Sequence, residues 1–177
     1  NGVNDETKAR TLMALAFVDN CVIDADALTS FENNPDELFV DTYPHTIFTP
    51  HEGEFRRLFG DNIASMNDKV LKCVEASKIA GSIVLLKGSD TVIANPKGEV
   101  VINFSKAPYL ATAGSGDVLA GIIASLVGKN KMNSFDAACA GAWIHSKLGE
   151  YLGPGLIAED LVDNIPYIIK KLSNYEL

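Results

Sequence analysis

The stretch Leu110-Ala-Thr-Ala-Gly-Ser-Gly-Asp117, followed at once by the apolar residues 118–127, decides how this chain is interpreted. It predicts a glycine-containing loop that leads directly into a buried helix. Free backbone N–H groups at a helix N-terminus bind anions, and Gly114 and Gly116 let a ligand approach them closely. Asp117 places a carboxylate beside this anion site. The pattern therefore predicts an active site at the start of the helix.

Two simpler interpretations of this stretch exist. Asp117 could be an acidic residue in the first turn of a helix, where the helix dipole favours it. Gly114, Ser115 and Gly116 could form only a tight turn. The helix that follows is too apolar to face solvent, and two glycines suit backbone amides that approach an anion better than they suit a plain turn. We therefore expect Asp117 to be catalytic or to bind a ligand.

The composition is typical of a globular protein. The chain has 177 residues, of which 47% are hydrophobic and 21% charged, and its net charge at pH 7 is -8. This length predicts a single domain over residues 1–177. The negative charge argues against binding to nucleic acid or to an anionic membrane. No apolar stretch approaches the roughly 20 residues of a membrane span, and no signal peptide is visible at the N-terminus.

Cysteine usage favours a reducing compartment. Cys21, Cys73 and Cys139 are odd in number, far apart in the chain and without the spacing of a metal site. All three lie in apolar stretches, which predicts buried free thiols. The chain is therefore expected to be cytoplasmic.

Hydrophobic patterns predict alternating helices and strands. Apolar residues at helical spacing predict helices at residues 5–18, 66–80, 117–127, 135–150 and 158–172, with Pro166 splitting the last. Short continuous apolar runs predict parallel strands at residues 21–23, 46–49 and 82–86. Residues 91–94 and 100–104 flank a turn and predict a β-hairpin. This order predicts an α/β layered domain with a mostly parallel central sheet flanked by helices, plus the hairpin.

In such a sheet, ligands bind beyond the carboxyl ends of the parallel strands. Asp24 and Asp26 follow the first predicted strand, residues 49–54 follow the second, and Lys87 follows the third. With the loop at residues 114–117, four segments bring polar groups to one edge of the sheet. Asp24 and Asp26 could cap the next turn, or they could hold Mg²⁺ through water beside a phosphate site.

Lys87 is a candidate for binding a nucleotide phosphate, together with the small-residue turn Gly88, Ser89, Asp90 and Thr91. A lysine at the end of a buried strand could instead extend its ammonium to solvent. The glycine loop strengthens the phosphate interpretation.

A helix start is predicted at residues 49–52, with Thr49 as the cap, Pro50 at the first position and Glu52 completing a capping box. His51 has no capping role in this scheme and is expected to contact substrate. His45 and His145 lack partners in the sequence and are predicted to be structural or surface residues. Trp143 and the small residues 137–142 are predicted to pack between helices.

Four motifs together resemble one known family. They are Val22-Ile-Asp-Ala-Asp-Ala-Leu28, Thr49-Pro-His-Glu-Gly-Glu54, Leu86-Lys-Gly-Ser-Asp-Thr91 and Leu110-Ala-Thr-Ala-Gly-Ser-Gly-Asp-Val-Leu-Ala-Gly121. In this order they are similar to the successive motifs of the ADP/ATP-dependent NAD(P)H-hydrate dehydratases, which have a ribokinase-like, carbohydrate-kinase type of fold. The resemblance covers nearly the whole chain.

The resemblance implies an enzyme that dehydrates NADHX and NADPHX to NADH and NADPH, with Mg²⁺ and with ADP or ATP as co-substrate. It implies that Asp117 is the base, and that the amides around Gly114, Ser115 and Gly116 stabilise the transferring phosphoryl group. The implied nucleotide contacts are Lys87, Gly88, Ser89, Asp90, Thr91 and Gly116. The implied substrate contacts are Gly2, His51 and Asp117.

The chain differs from the family pattern in length. A family domain is longer, and the resemblance implies that this chain begins inside a glycine-rich motif, at Gly2, so that the domain is truncated at its N-terminus. A bare sheet edge would favour association, and a homo-oligomer is expected. Two alternatives remain open at this point: a small-molecule kinase of the hydroxyethylthiazole or sugar type, and a non-catalytic fragment that binds nucleotide.

Overall fold

A computed structural model describes residues 2–174 of the chain. The helices are α1 (Asp5–Phe17), α2 (Asp26–Thr29), α3 (Pro35–Phe39), α4 (Glu52–Ala64), α5 (Lys69–Ala80), α6 (Ser115–Gly128), α7 (Ser134–Leu152) and α8 (Ala158–Ser173). The strands are β1 (Val22–Ile23), β2 (Ile47–Phe48), β3 (Ile83–Leu86), β4 (Asp90–Ala94) and β5 (Val100–Phe104). A short 3-10 helix spans Pro108–Leu110.

The five strands form one sheet in the order β1-β2-β3-β4-β5. β1, β2 and β3 run parallel, with Val22 opposite Ile47 and Ile47 opposite Ile83. β4 is antiparallel to β3 and forms a hairpin with β5. The predicted α/β class, the three parallel strands and the hairpin are therefore confirmed.

Helices cover both faces of the sheet because successive strand residues point to opposite faces. Phe48, Val84 and Leu86 pack with α1 to α5 on one face. Ile47 and Leu85 pack with α6 and α7 on the other. α8 lies outside this second layer and packs on α6 and α7. Burial of the strands on both sides explains why their sequences are continuously apolar.

The prediction that Pro166 splits the last helix is wrong, because α8 continues through it. Pro166 and Val162 are exposed, so the Val162 carbonyl, which loses its helical donor, can bond to water. Leu161 and Ile168 are buried on the inner side of α8 and hold both halves of the helix against α6 and α7. Packing of this face outweighs the cost of the proline.

The predicted free thiols are confirmed: Cys21 and Cys73 are buried, Cys139 is half-buried, and none forms a disulfide. Burial raises the pKa of the Cys73 thiol to about 12 and that of Cys139 to about 11, which keeps both protonated at neutral pH. Within residues 2–174, no helix is both long and apolar enough to cross a membrane.

Candidate active site

A cavity of about 750 Å³ opens at the carboxyl end of β3, between the hairpin and the start of α6. It is lined by His51, Glu52, Gly53, Lys87, Gly88, Ser89, Thr91, Ser105, Ala107, Pro108, Leu110, Ala111, Ser115, Gly116, Leu119, Ala142, His145 and Ser146. Cavities of this size hold small-molecule ligands. The predicted turn at residues 88–91 and the predicted glycine loop thus lie on the walls of one cavity.

The glycine loop has the geometry of an anion site. Gly114 caps α6 with a φ of 80°, a left-handed conformation that glycine adopts without strain, and no side chain caps this helix end. Within the described residues, the N–H groups of Gly116 and Asp117 bond to no protein acceptor. A Cβ at position 116 would lie 3.4 Å from Lys87 Nζ. The loop therefore presents free donors beside a lysine.

Asp117 lies in the first turn of α6 and is exposed. It does not line the cavity, although its neighbour Gly116 does. Asp117 is thus next to the residues that line the cavity but is not one of them. This separation could not be predicted from the sequence.

Lys87 joins three of the four predicted segments. Its Nζ lies 2.9 Å from Asp24 Oδ1 and 3.8 Å from Glu54 Oε2. All three side chains are largely buried, and a Cβ at position 116 would lie 3.6 Å from the other Asp24 oxygen, Oδ2. Lys87 is therefore held by carboxylates at the position where it also faces the glycine loop.

The turn after β3 is fixed by its own hydrogen bonds and by α5. Thr91 Oγ1 donates to the Gly88 carbonyl at 3.0 Å and accepts from the Gly88 N–H at 3.3 Å. Lys69, on α5, donates to the Asp90 carbonyl at 2.7 Å and to the Asp90 carboxylate at 2.9 Å. Gly88, Ser89 and Thr91 line the cavity, whereas the Asp90 side chain is paired with Lys69.

The predicted capping box is displaced by two residues. α4 begins at Glu52, its cap is His51, and Glu54 is the third helical residue. His51 Nδ1 accepts from the N–H groups of Gly53 and Glu54, while Glu54 accepts from the His51 N–H. The prediction that His51 has no capping role and that Glu52 completes the box is therefore wrong. His51 Nε2 lies 3.4 Å from Glu54 Oε1. Because His51 also lines the cavity, its contact with a ligand stays a prediction.

Gly2 and Asp26 are joined by a hydrogen bond. The Gly2 N–H donates to Asp26 Oδ2 at 2.8 Å, and the Gly2 carbonyl accepts from Thr7 Oγ1 at 2.7 Å. This pair ties the first described residues to the start of α2. Gly2 does not line the cavity, so its predicted contact with substrate is untested.

His145 was predicted to be a structural or surface residue; it lines the cavity and contacts Ser115, which the sequence did not reveal. It is buried on α7, and its Nε2 lies 2.9 Å from Ser115 Oγ and 3.0 Å from the Ser115 carbonyl. Burial lowers the pKa of His145 from its usual 6.5 to about 4, so the ring is neutral at pH 7. The sequence shows only a histidine after the apolar residues 142–144 of α7. Its contact with Ser115 spans 30 residues and cannot be seen without the fold.

Two further side-chain predictions agree with the structure. His45, predicted to be a structural or surface residue, is half-buried, and its ring stacks on that of Tyr43 with 5.4 Å between the ring centroids. The small residues of α7 pack as predicted, with Ala137, Ala138 and Ala142 buried against α6 and the sheet.

The residues at this site fit a metal ion that arrives with a phosphate ligand. Residues 2–174 contain no group of three or more His, Cys, Asp or Glu side chains able to hold a metal. Asp24 Oδ1 accepts a hydrogen bond from Lys87, and Asp24 Oδ2 lies on the side of Gly116. Asp26 accepts a hydrogen bond from the Gly2 N–H. One available carboxylate oxygen suits Mg²⁺, which keeps most of its waters and commonly takes phosphate ligands.

Comparison with known proteins agrees with the motifs. The model of the NAD(P)H-hydrate dehydratase family matches residues 2–170. The bifunctional NAD(P)H-hydrate repair enzyme of Moorella thermoacetica is 40% identical over 159 residues, which are 85% of this chain and 29% of that protein. The ADP-dependent (S)-NAD(P)H-hydrate dehydratase of Neisseria meningitidis is 39% identical over 133 residues, 74% of this chain and 45% of that protein.

Among solved structures, the fold matches an ADP/ATP-dependent NAD(P)H-hydrate dehydratase from Bacillus subtilis, co-crystallised with ATP and Mg²⁺, with a TM-score of 0.80. At 24% identity this likeness concerns the fold; it covers 97% of this chain and 61% of that one. This chain thus spans 29% to 61% of the length of the three proteins. Since the family match extends over nearly all the described residues, the chain belongs to the NAD(P)H-hydrate dehydratase family.

Proposed function

We propose that this chain carries the site for nucleotide-dependent dehydration of NADHX and NADPHX, with ADP or ATP as co-substrate. The observation that carries the proposal is the meeting of the turn at residues 88–91 and the glycine loop on one cavity, with Asp117 on the same helix end. The names of the Neisseria and Bacillus relatives state this activity for those proteins.

The cavity is the proposed nucleotide site. Its apolar wall, which includes Ala107, Pro108 and Leu110, suits a base, and its polar wall suits phosphates. The N–H groups of Gly116 and Asp117 and the Lys87 ammonium are the donors available to a terminal phosphate. A cavity of about 750 Å³ leaves room for a nucleoside diphosphate or triphosphate.

Asp117 is the proposed base. It would take the proton of the hydroxyl on the hydrated nicotinamide ring, and the oxygen would attack the terminal phosphorus of the nucleotide. The nucleotide would leave as AMP from ADP, or as ADP from ATP. The carbon–oxygen bond would then break with its electron pair on the departing phosphate, and loss of a ring proton to water would restore the double bond of NAD(P)H.

The backbone donors at the start of α6 would stabilise the charge that develops on the transferring phosphoryl group, because they are fixed before the reaction begins. His145 holds Ser115 in place and is neutral, so it adds no charge of its own to this site. Lys87 would shift part of its interaction from Asp24 to the phosphate.

We also propose that Mg²⁺ enters with the nucleotide and contacts Asp24 through water, as the donor set allows. When bound, Mg²⁺ would neutralise phosphate charge. Asp26 is the weaker candidate, because its carboxylate already accepts from the Gly2 N–H.

One assay tests the proposed function. The protein is incubated with NADHX, Mg²⁺ and either ADP or ATP, and the return of the absorbance of the reduced nicotinamide is followed. We expect recovery by the unaltered chain and a loss of about 10² to 10⁴-fold in Asp117→Asn, the range for removal of a general base. Asp117 is exposed, so this substitution should leave the free energy of unfolding unchanged.

Other outcomes of this assay would favour one of the two alternative functions. Binding of nucleotide without recovery of NADH would contradict the proposal and favour a non-catalytic nucleotide-binding protein. Phosphorylation of a thiazole or sugar alcohol without dehydration would favour a small-molecule kinase.

We further propose that the chain works as a homo-oligomer in the cytoplasm. β5 is an outer strand whose Val101, Ile102 and Phe104 are exposed, 76% in the case of Phe104, and such edges pair with other chains. The three unpaired thiols suit a reducing compartment. Light scattering after size-exclusion chromatography tests the assembly, and a monomer mass at all protein concentrations would contradict it.

A further inference from the structure

We propose that Lys69 and Lys72, on the first turns of α5, neutralise two carboxylates at the edge of the cavity and thereby set its affinity for nucleotide phosphates. The inference rests on the proposed nucleotide site and goes beyond it, because both lysines lie outside the cavity. Lys69 pairs with Asp90, and Lys72 pairs with Glu52.

Both carboxylates lie on segments that border the cavity. Glu52 lines it, and Asp90 stands between Ser89 and Thr91, which also line it. An unpaired carboxylate at either position would repel the phosphates of a nucleotide. The first turns of α5 supply one ammonium to each: Lys69 Nζ lies 2.9 Å from Asp90 Oδ1, and Lys72 Nζ lies 3.0 and 2.8 Å from the two oxygens of Glu52.

Both lysines are largely buried, whereas Asp90 and Glu52 are about half exposed towards the cavity edge. The Lys72 side chain is 9% exposed and the Lys69 side chain 17%. Lys69 also donates to the Asp90 carbonyl, and a Cβ at position 88 would lie 2.5 Å from Lys69 Nζ. The ammonium therefore fills the space directly behind the turn at residues 88–91. The same pairing lowers the pKa of Asp90, so the carboxylate stays charged and paired.

The position of Lys69 in α5 gives an independent argument. It is the first residue of the helix, after the cap Asp68, and a cation there is unfavourable with the helix dipole. Helix stability therefore does not account for this lysine. The carboxylate of Asp90 does account for it. The pair of Lys69 and Asp90 is also uncharged overall, as the proposal expects beside a phosphate site.

The test measures binding of two ligands that differ in charge. ADP with Mg²⁺ and the uncharged nucleoside adenosine are titrated by calorimetry into the unaltered chain, Lys69→Met and Lys69→Met/Asp90→Asn. We expect Lys69→Met to weaken ADP binding about tenfold, equivalent to roughly 1.4 kcal/mol, and to leave adenosine binding unchanged. The double variant should regain most of the ADP affinity, since the uncompensated carboxylate is gone.

Lys72→Met and Lys72→Met/Glu52→Gln form a second series with the same expectation. Lys78→Met is the matched control, because Lys78 also lies on α5 and pairs with Glu75 but is exposed and lies in the last turn of the helix. Its ADP affinity should equal that of the unaltered chain. Thermal unfolding of every variant reports whether the fold survives.

The results distinguish a failure of the proposed nucleotide site from a failure of this inference. If the unaltered chain binds neither ADP nor ATP, the proposed nucleotide site fails, and this inference fails with it. If the unaltered chain binds ADP and Lys69→Met binds it equally well, only the inference is overturned. Equal loss of ADP and adenosine, without rescue by Asp90→Asn, would also overturn it, because that result indicates a distorted turn instead of uncompensated charge.

Discussion

Lys87 Nζ lies 2.9 Å from Asp24 Oδ1, which links the ends of the parallel strands β3 and β1 across the strand between them. The pair is largely buried and stands beside Gly116. A buried lysine that is already paired can bind an incoming anion only by sharing its charge. Asp24 therefore competes with any phosphate for Lys87.

Asp24→Asn tests this competition. The amide can still accept a hydrogen bond from Lys87, but it removes one negative charge from the site. In the absence of Mg²⁺ we expect ADP to bind more tightly, by up to about tenfold for 1.4 kcal/mol. With Mg²⁺ present, the concentration of Mg²⁺ required for half-maximal turnover should rise, because a carboxylate oxygen is lost. Weaker ADP binding without Mg²⁺ would contradict the competition.

Gly116→Ala should impair turnover and leave the fold intact. The added methyl would lie 3.4 Å from Lys87 Nζ and 3.6 Å from Asp24 Oδ2, so it crowds the place where a phosphate must approach. We expect kcat/KM for the dehydration to fall by about tenfold or more, in line with loss of one preorganised contact worth roughly 1.4 kcal/mol or more.

The matched control is Gly121→Ala on the same helix, where nothing lies within 4 Å of the added methyl. Its turnover should equal that of the unaltered chain. If Gly116→Ala retains full kcat/KM, the glycine loop does not bind the transferring group.

The stability of the protein should depend on pH through His145. Its pKa is about 4 in the fold and near 6.5 in an unfolded chain, so the unfolded chain binds more protons between these values. The neutral ring's contribution is complete above pH 6.5 and is lost as the pH falls towards 4. The loss amounts to roughly 3 kcal/mol over that window.

Urea unfolding at about pH 7.5, 5.5 and 4.5, values that cover this window, measures how the free energy of unfolding changes with pH. His145→Gln keeps a side chain able to bond to Ser115 but does not titrate. We expect its free energy of unfolding to fall less steeply with acidification than that of the unaltered chain. Parallel curves for the two proteins would show that His145 is not responsible.

Two glycines in neighbouring helices should respond to alanine in opposite directions. At Gly141 of α7, the added methyl would lie 2.5 Å from Ile123 Cγ1, so the helices must separate. We expect Gly141→Ala to lower the free energy of unfolding by about 1 to 3 kcal/mol. At Gly121 of α6 the space is open, and alanine should raise the free energy of unfolding by up to about 1 kcal/mol. Chemical denaturation of both variants measures the two signs, and a stabilised Gly141→Ala would contradict the close packing of α6 and α7.

The fold class could be predicted because it depends on local patterns. The buried strands β1, β2 and β3 are continuous apolar runs, and the helices repeat their apolar residues at helical spacing. Pro166 failed as a helix terminator because local propensity does not include the packing of Leu161 and Ile168. The short helices α2 and α3 were missed because four or five residues are too few to carry a periodic pattern.

The candidate site was predictable in its segments and not in its pairings. The predicted strand ends and glycine positions grouped Lys87, Asp24 and residues 114–117 at one edge of the sheet. The structure also places them close together. The partners of each side chain depend on distances across the fold. His51 as a cap and His145 beside Ser115 therefore needed coordinates, as did the position of Asp117 outside the cavity.

That position of Asp117 has a kinetic consequence. In the proposed mechanism the nucleotide occupies the cavity and the ring hydroxyl meets Asp117, so both substrates must be bound together for the oxygen to attack the phosphorus. The proposed direct transfer therefore requires a ternary complex, and initial-rate plots against each substrate should intersect. Parallel lines would instead indicate a phosphorylated protein intermediate and would contradict direct transfer between the substrates.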